Sequence, residues 1–302
     1  MHERVSLLGF DDHLRLTNGE VELVVATAFG PRVLRYARVG GDNILGEIPP
    51  SRQAKPTPFG GDWHLYGGHR LWHAPEEDPR TYWPDNAPVQ VRELDDGVVL
   101  TQAVEPHTHI EKTLEVRLAP TGSGVTLTHR LVNRGVLDVE LAPWALTIMA
   151  RGGRAIFPQA PFVPHPEALR PARPLVLWPY TRMDDPRWRW GSRFITLRHD
   201  PAQPSAQKVG LYDAQGWMAY SLGDTLFLKR HHPKPGAHVD HGCNVETFTD
   251  ALILELETLG PLVRLPPGGE VQHEERWSLF GGVTVGDDDA IAAALAPCLS
   301  AG

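Results

Sequence analysis

The sequence predicts a nearly all-β protein in which antiparallel sheets pack as a sandwich. Apolar and polar residues alternate with period two in many short segments, most clearly over residues 125–132. Turn sequences separate these segments, and only one segment, close to the C-terminus, reads as a helix. A dozen or more short strands without helices between them favour a sandwich over a parallel α/β fold.

Each candidate element has a local reason in the chain. The candidate strands cover residues 21–25, 33–39, 98–104, 110–118, 125–132, 139–148, 194–197, 209–212, 217–221, 225–229, 251–257 and 271–280. Turn signals separate them at residues 18–19 (NG), 40–41 (GG), 95–97 (DDG), 121–124 (TGSG) and 266–269 (PPGG). Asp287, Asp288 and Asp289 supply an N-cap and an acidic first turn for a short helix over residues 290–295, which Pro297 is expected to end.

Composition limits the partners of the chain. The 302 residues include 37 acidic and 29 basic ones, a formal net charge of -8 without a basic cluster, so neither nucleic acid nor an anionic membrane is a predicted partner. Cys243 and Cys298 lie far apart, which argues against a disulfide framework or a cysteine zinc site and fits a reducing cytoplasm. No segment resembles a signal peptide or a membrane span. Without repeats or linkers, residues 1–302 are predicted to form a single domain, as a monomer or homodimer.

Two long segments, residues 47–88 and 151–192, interrupt the strand rhythm and are rich in Pro, Gly, Trp, Arg and His. Such segments are uncommon in a compact β domain unless they carry function. The densest one, residues 60–76 (GGDWHLYGGHRLWHAPE), combines aromatic rings for the faces of a sugar with Arg70 for its hydroxyl or carboxylate groups. The alternative is a loop whose aromatic side chains close the end of the sandwich. Likewise, residues 177–190 (LWPYTRMDDPRWRW) form either a second aromatic platform or a cap of tryptophans.

Two carboxylates share one face of a late strand. In the extended segment 250–261, Glu255 and Glu257 point to the same side. In a groove, their mutual repulsion would raise the pKa of one carboxyl and create a general base that works near neutral pH. The alternative is an ordinary solvated strand face.

Three sequence boxes together resemble a known family. They are residues 67–72 (GGHRLW), residues 142–153 (APWALTIMARGG), and residues 255–261 (ELETLGP) followed by 265–270 (LPPGGE) and 275–277 (ERW). In this order they resemble the bacterial family DUF4380, which is similar to the galactose mutarotase-like superfamily. The resemblance implies a β-supersandwich with a sugar groove on the concave face of one large sheet. Similarity to the aldose 1-epimerases also implies that Glu257 is the general base.

The chain departs from the aldose 1-epimerases in one respect. These enzymes carry a histidine in a mid-chain strand, whereas the comparable residues 144–149 (WALTIM) contain none. An acid for the reaction would have to come from elsewhere, and the candidates are His69, His73, His107 and His109. A pair of surface histidines is the alternative reading of the last two.

A histidine-rich loop, residues 229–241 (KRHHPKPGAHVDH), raises the question of a metal. His238, Asp240 and His241 are chemically suitable ligands for Zn, Mn or Ni. Their spacing matches no standard motif, and the neighbouring Lys and Arg oppose a cation, so neither a metal nor any other cofactor is predicted. The family pattern instead implies that Lys229, Asp240 and Glu246 line the sugar groove. A set of salt bridges that anchors the loop is the alternative.

The hypothesis is therefore a carbohydrate-binding protein, with an aldose 1-epimerase-like activity as its first function. The alternatives are a non-catalytic sugar-binding or sensing protein and a lyase-like or hydrolase-like activity on an oligosaccharide. The predicted partner is a small-molecule carbohydrate. The predicted site comprises Glu257, His69 and His73 as catalytic residues, and Arg70, Trp72, Lys229, Asp240, Glu246 and Glu255 as substrate-binding residues.

Overall fold

The computed structural model describes residues 2–301, which form 23 strands, one α-helix and a single 3-10 turn at Arg80–Tyr82. In chain order the strands are β1 (His2–Leu7), β2 (Phe10–Thr17), β3 (Val21–Val25), β4 (Arg32–Arg38), β5 (Ala54–Pro56), β6 (Asp62–His64), β7 (His69–Ala74), β8 (Gln90–Leu94), β9 (Gly97–Thr101), β10 (Ile110–Leu118), β11 (Val125–Asn133), β12 (Val139–Ile148), β13 (Arg154–Pro158), β14 (Leu175–Leu177), β15 (Trp188–Trp190), β16 (Phe194–Arg198), β17 (Gln207–Leu211), β18 (Trp217–Leu222), β19 (Thr225–His231), β20 (Val245–Thr249), β21 (Leu254–Leu259), β22 (Val263–Leu265) and β23 (Glu270–Phe280). The helix α1 spans Asp288–Ser300.

The strands form two large antiparallel sheets. The first sheet has eleven strands in the order β1-β2-β3-β4-β7-β12-β21-β20-β17-β14, with β22 paired to β12. The second has ten strands in the order β15-β16-β13-β18-β19-β23-β11-β10-β9-β8. A separate hairpin pairs β5 with β6. The predicted nearly all-β sandwich with one C-terminal helix is thus confirmed.

The core lies between the two large sheets. Alternation buries every second residue of β10 and β11, so that Leu114 and Leu127 face inward while their neighbours are half-buried. One hydrophobic cluster contains these residues together with Leu23 and Leu256 of the first sheet. Burial of apolar surface from both sheets in one cluster is the main force that holds the layers together.

The helix α1 packs on the outer side of the second sheet. Asp287 is its N-cap and accepts a hydrogen bond from the Ala290 amide, as predicted. The helix does not end at Pro297 but continues to Ser300. Leu295 and Cys298, on either side of the proline, are both buried in the contact with the sheet. This packing holds the last turn in place despite the missing amide hydrogen bond.

The two segments that sequence patterning left irregular contain further strands. The segment 47–88 includes β7, which lies in the middle of the first sheet between β4 and β12. All six residues of β7 are buried, including two histidines and an arginine, so its hydropathy does not alternate. That burial of polar residues explains why the pattern did not predict this strand. No helix among residues 2–301 is long and apolar enough to span a membrane.

Candidate functional site

A cavity of about 280 Å³ opens on the face of the first sheet that points away from the second sheet. Its floor comes from strands β7, β12, β17, β20 and β21, and its walls come from the β5–β6 hairpin, Tyr82 and Tyr180. The aromatic side chains Trp63, Trp72 and Trp144 line it. This volume lies just below the usual range for small-molecule sites, about 300–1,000 Å³.

Strand register brings the polar residues of the floor into one row. Arg70 of β7 is opposite Leu146 of β12, Leu146 is opposite Glu257 of β21, and Glu257 is opposite Glu246 of β20. The backbone just before this row requires a glycine at position 68. A Cβ on Gly68 (φ 67°) would lie 2.2 Å from the Val33 carbonyl oxygen. The row places two carboxylates directly opposite each other, an arrangement that is destabilising unless a cation lies between them.

Lys208 of β17 is that cation. Its Nζ lies 2.8 Å from Glu246 Oε2 and donates a hydrogen bond of 3.2 Å to Glu257 Oε2. The same ammonium group lies over the rings of Trp144 and Trp178, 4.8 and 4.7 Å from their centroids. Burial opposes the charge, but the two carboxylates outweigh it and hold the pKa of Lys208 well above its usual value.

Arg70 is held from two sides. Its Nη2 donates to Glu255 Oε1 at 3.2 Å, and its guanidinium carbon lies 4.3 Å from the centroid of the Trp72 ring. The Arg70 and Glu255 side chains are only 4% and 8% exposed. Burial, with a contribution from the Glu257 charge and against the pull of Arg70, raises the pKa of Glu255 to about 7. At neutral pH this carboxyl therefore exists in both protonation states.

Glu246 also favours its protonated form. Burial raises its pKa well above the usual range, and the charges of Glu257 and Asp240 add to the effect against the attraction of Lys208. If both carboxyl groups were ionised, this buried floor would carry a net negative charge beside the single Lys208 ammonium group. Protonation of one carboxyl removes that excess charge.

Several buried polar atoms of this floor lack a hydrogen-bond partner among the residues that the structure describes. They include the donors Arg70 Nε, Arg70 Nη1 and Trp63 Nε1 and the acceptors Glu257 Oε1 and Glu246 Oε1. Buried polar groups are nearly always paired, because an unpaired one costs about 1–3 kcal/mol. Unpaired donors and acceptors around one cavity fit a ligand whose groups both donate and accept, as hydroxyls do.

His69 does not reach the cavity. Alternation along β7 turns Arg70 and Trp72 towards the cavity and His69 towards the second sheet, where its Nε2 lies 2.7 Å from His129 Nε2. His129 Nδ1 donates to the His273 carbonyl, so His129 Nε2 is an acceptor and His69 Nε2 carries the proton. Burial lowers the pKa of His69 well below its usual value, so the ring is neutral.

Lys229 belongs to the same interior network. Its Nζ lies 2.8 Å from Glu275 Oε1 and donates to Thr147 Oγ1 at 2.8 Å, and the Thr147 hydroxyl can then donate to His69 Nδ1. The acceptor roles of His69 Nδ1 and His129 Nε2 are thus both filled. Within residues 2–301, His69, His129 and Glu275 form a grouping of metal-ligating side chains with ligand atoms within 4.8 Å of one another. Their hydrogen bonds and the adjacent Lys229 favour a structural polar network over a cation site.

His73 also faces the interior between the sheets. Its Nδ1 accepts from Arg80 at 3.1 Å, and its Nε2 donates to Glu105 Oε2 at 3.3 Å. Although burial favours the neutral acid, Lys112 at 2.5 Å and His73 lower the pKa of Glu105 to about 2. These contacts explain His73 as part of a buried ion-pair network, and we assign it and His69 no role in the chemistry of the cavity.

The structure therefore divides the predicted site residues into three groups. Arg70, Trp72 and Glu255 line the cavity, and Glu246 and Glu257 lie beneath its floor in contact with Lys208. His69, His73 and Lys229 lie between the sheets, with their polar groups engaged there. Asp240 lies in the loop before β20, outside the cavity lining. Of the second aromatic segment, Tyr180 lines the cavity, whereas Trp188 and Trp190 stack on each other in β15 at the edge of the second sheet.

Sequence reasoning missed Lys208, Glu76 and the role of Trp144 as a cavity wall. Lys208 lies in a short strand, Gln207–Leu211, that is buried throughout and has no motif around it. Glu76 and Trp144 stand inside the quoted boxes, but Trp144 shares a face with Trp72 only through the pairing of β12 with β7, which the sequence does not show.

The comparisons with solved structures show the class of the fold, which is galactose mutarotase-like. The chain resembles a galactose mutarotase-like protein from Lactobacillus casei with a TM-score of 0.56 and 9% identity, over 89% of this chain and 100% of the other. A galactose mutarotase related enzyme from Lactobacillus acidophilus matches with a TM-score of 0.52 and 9% identity, over 89% and 98%. The chain also matches a longer TPR-domain containing protein from Parabacteroides distasonis, with a TM-score of 0.57 and 13% identity, over 88% of this chain and 46% of the other.

At these identities the likeness shows the fold alone. No protein-family model matches the chain, so its resemblance to DUF4380 in particular is not confirmed. A comparison with curated proteins found no match either.

Proposed function

We propose that the cavity binds a carbohydrate of about monosaccharide size and interconverts its anomers. The observation that carries this proposal is Glu255, a cavity-lining carboxyl with a pKa of about 7 beside an arginine that has two unpaired donors. General acid–base catalysis is most efficient when the pKa of the group lies near the working pH. The aromatic walls supply faces for the C–H groups of a sugar ring. The narrower likeness to DUF4380 rests on the three sequence boxes and supports the same reading.

The proposed reaction uses two groups that line the cavity. The Glu255 carboxylate takes the proton from the anomeric hydroxyl, and the C1–O1 bond becomes a carbonyl as the bond between C1 and the ring oxygen breaks. The ring oxygen keeps the electron pair of that bond, and a hydrogen bond from the Lys208 ammonium group stabilises its developing negative charge. Rotation about C1–C2, attack of the ring oxygen on the carbonyl carbon and return of the proton from Glu255 to O1 close the ring as the other anomer and restore Glu255. Arg70 orients hydroxyl groups through Nε and Nη1.

This assignment gives Glu257 a different part from the one that family resemblance implies. The Glu257 side chain is fully buried, and Oε2 accepts from Trp144 Nε1 at 2.9 Å and from Lys208. Glu255, in contrast, lines the cavity. We therefore propose Glu255 as the acid–base group, with Glu257 holding Lys208 in place and raising the pKa of Glu255.

The second candidate is a protein that binds a sugar without chemistry. The observation that favours it is that no histidine lines the cavity among the residues that the structure describes. Both candidates share the same binding step, so they differ only in whether the protein accelerates the interconversion.

Polarimetry tests the proposal. Freshly dissolved α-D-glucose, α-D-galactose, their 2-amino and uronate derivatives and glucose 6-phosphate should be followed to equilibrium with and without protein. We expect faster relaxation for at least one sugar, and Glu255→Gln should lower the catalysed rate by at least about 10²-fold. Glu257→Gln should instead shift the pH profile towards lower pH, because it removes a charge that raises the pKa of Glu255.

Glu274→Gln, on the exposed outer side of β23, is the control and should leave the rate unchanged. Equal losses of the catalysed rate in Glu255→Gln and Glu257→Gln would contradict this assignment and make Glu257 the base again. Binding of a sugar without any acceleration across the panel would establish the second candidate.

A further inference from the structure

The cations that line the cavity are already paired with carboxylates. Lys55 Nζ lies 2.9 Å from Asp78 Oδ2, Arg70 lies 3.2 Å from Glu255, and Lys208 lies within 3.2 Å of both Glu246 and Glu257. A paired cation attracts a second anion much less than a free one does, because the partner's field cancels most of its own.

Two carboxylates of the cavity lining have no such partner. Glu76 and Asp250 take part in no ion pair within the part of the chain that the structure describes, residues 2–301. Asp250 Oδ1 accepts from the Leu252 and Ile253 amides at 2.7 and 2.9 Å, so it closes the turn between β20 and β21. Glu76 accepts a hydrogen bond from the neutral hydroxyl of Tyr82, which leaves its charge uncompensated.

The charge of Glu76 acts across the cavity. It contributes to raising the pKa of both Glu255 and Lys208, which line the floor. Glu76 itself is exposed and lines the cavity, which places it at the mouth. Among the residues that the structure describes, the charges of the cavity lining that no ion pair offsets are thus both negative.

We propose that the cavity prefers a sugar that carries a protonated amino group, and that Glu76 holds this ammonium group at the mouth. This inference rests on the proposed function, because it names the substrate class of the same site. The surplus of carboxylates also opposes a sugar acid or a sugar phosphate, whose charge would meet Glu76 and Asp250 without a free cation nearby.

Calorimetric binding measurements test the preference with matched sugars. The probes are D-glucosamine, D-glucose and D-glucuronate and the three galactose counterparts, at about pH 6.5, where an amine of this type is protonated. We expect each amino sugar to bind at least about fivefold more tightly than its neutral parent. The expected factor is modest because a partly exposed ion pair contributes little to the binding free energy. Each uronate should bind more weakly than its neutral parent. Added salt should reduce the preference.

Glu76→Gln should reduce the preference for the amino sugar, taken as the ratio of the two dissociation constants measured on the same variant, to less than about twofold. The matched control is Glu77→Gln, the neighbouring carboxylate, which pairs with Arg80 at 3.4 Å and does not line the cavity. The control should keep the full preference.

Equal binding of amino and neutral sugars, or tighter binding of a uronate, would overturn this inference and leave the proposed sugar site standing. If Glu76→Gln keeps the preference for the amino sugar, Glu76 is not the residue that holds the ammonium group. Absence of binding by all six sugars would overturn the proposed function, and the inference would fall with it.

Discussion

At the scale of single residues, the candidate site contains charged groups whose burial lowers the stability of the fold. Glu255 is buried near the Glu257 carboxylate, and the attraction of Arg70 and Lys208 does not fully offset these two effects. In the unfolded chain the same carboxyl would be solvated and would titrate at its ordinary pKa of 4.5. The folded protein therefore binds this proton more tightly than the unfolded chain does.

The stability of Glu255→Gln should depend on pH relative to the original protein. Because the folded pKa of about 7 lies above the unfolded value of 4.5, ionisation of Glu255 destabilises the fold as pH rises from about 4.5 to 7. Removal of the ionisable group should favour the variant by up to about 3 kcal/mol more at pH 8 than at pH 4.5. Urea unfolding at both pH values measures this difference, and a pH-independent difference would contradict the proposed burial of the charge.

At the scale of elements, β7 shows which parts of the site the sequence could predict. The residues GGHRLW attracted attention as a group, but a strand divides its residues between two faces. Arg70 and Trp72 line the cavity, whereas His69 joins the network between the sheets. Local alternation predicts the half-buried strands, and hence the sandwich, because it needs no partner, but it does not predict a fully buried strand such as β7. Which face borders the core depends on strand order, and Lys208 enters the site only through the pairing of β17 with β20.

The network that joins the sheets predicts a large effect from one buried cation. Lys229 and Glu275 are both fully buried, and Lys229→Met would leave the Glu275 carboxylate without its partner. We expect a loss of about 3–5 kcal/mol in the free energy of unfolding. Arg264→Met is the control, because the exposed Arg264–Asp138 pair at 2.9 Å should contribute less than about 1 kcal/mol. Similar losses in the two variants, measured by urea unfolding, would mean that the buried pair stabilises the fold no more than a surface pair does.

At the scale of the whole molecule, the two sheets depend on each other. The largest hydrophobic cluster draws residues from both sheets, from Leu23 in β3 to Leu279 in β23, and buried ion pairs such as Lys229–Glu275 lie beneath the cavity floor. Neither sheet would keep a covered apolar face without the other. The cavity residues thus depend on a core to which both layers contribute.

We therefore expect residues 1–302 to unfold in one cooperative transition. Far-UV circular dichroism reports the strands of both sheets, and tryptophan fluorescence reports mainly the cavity and core, where Trp63, Trp72, Trp144 and Trp277 are buried. With one shared core, the two signals should give the same midpoint in urea, because unfolding of either sheet exposes the apolar face of the other. A bound sugar should shift both midpoints together, since a ligand that binds only the folded state stabilises everything that unfolds with its site. Two separate midpoints, or a sugar-induced shift in fluorescence alone, would show that the cavity sheet unfolds independently and that the chain contains more than one cooperative unit.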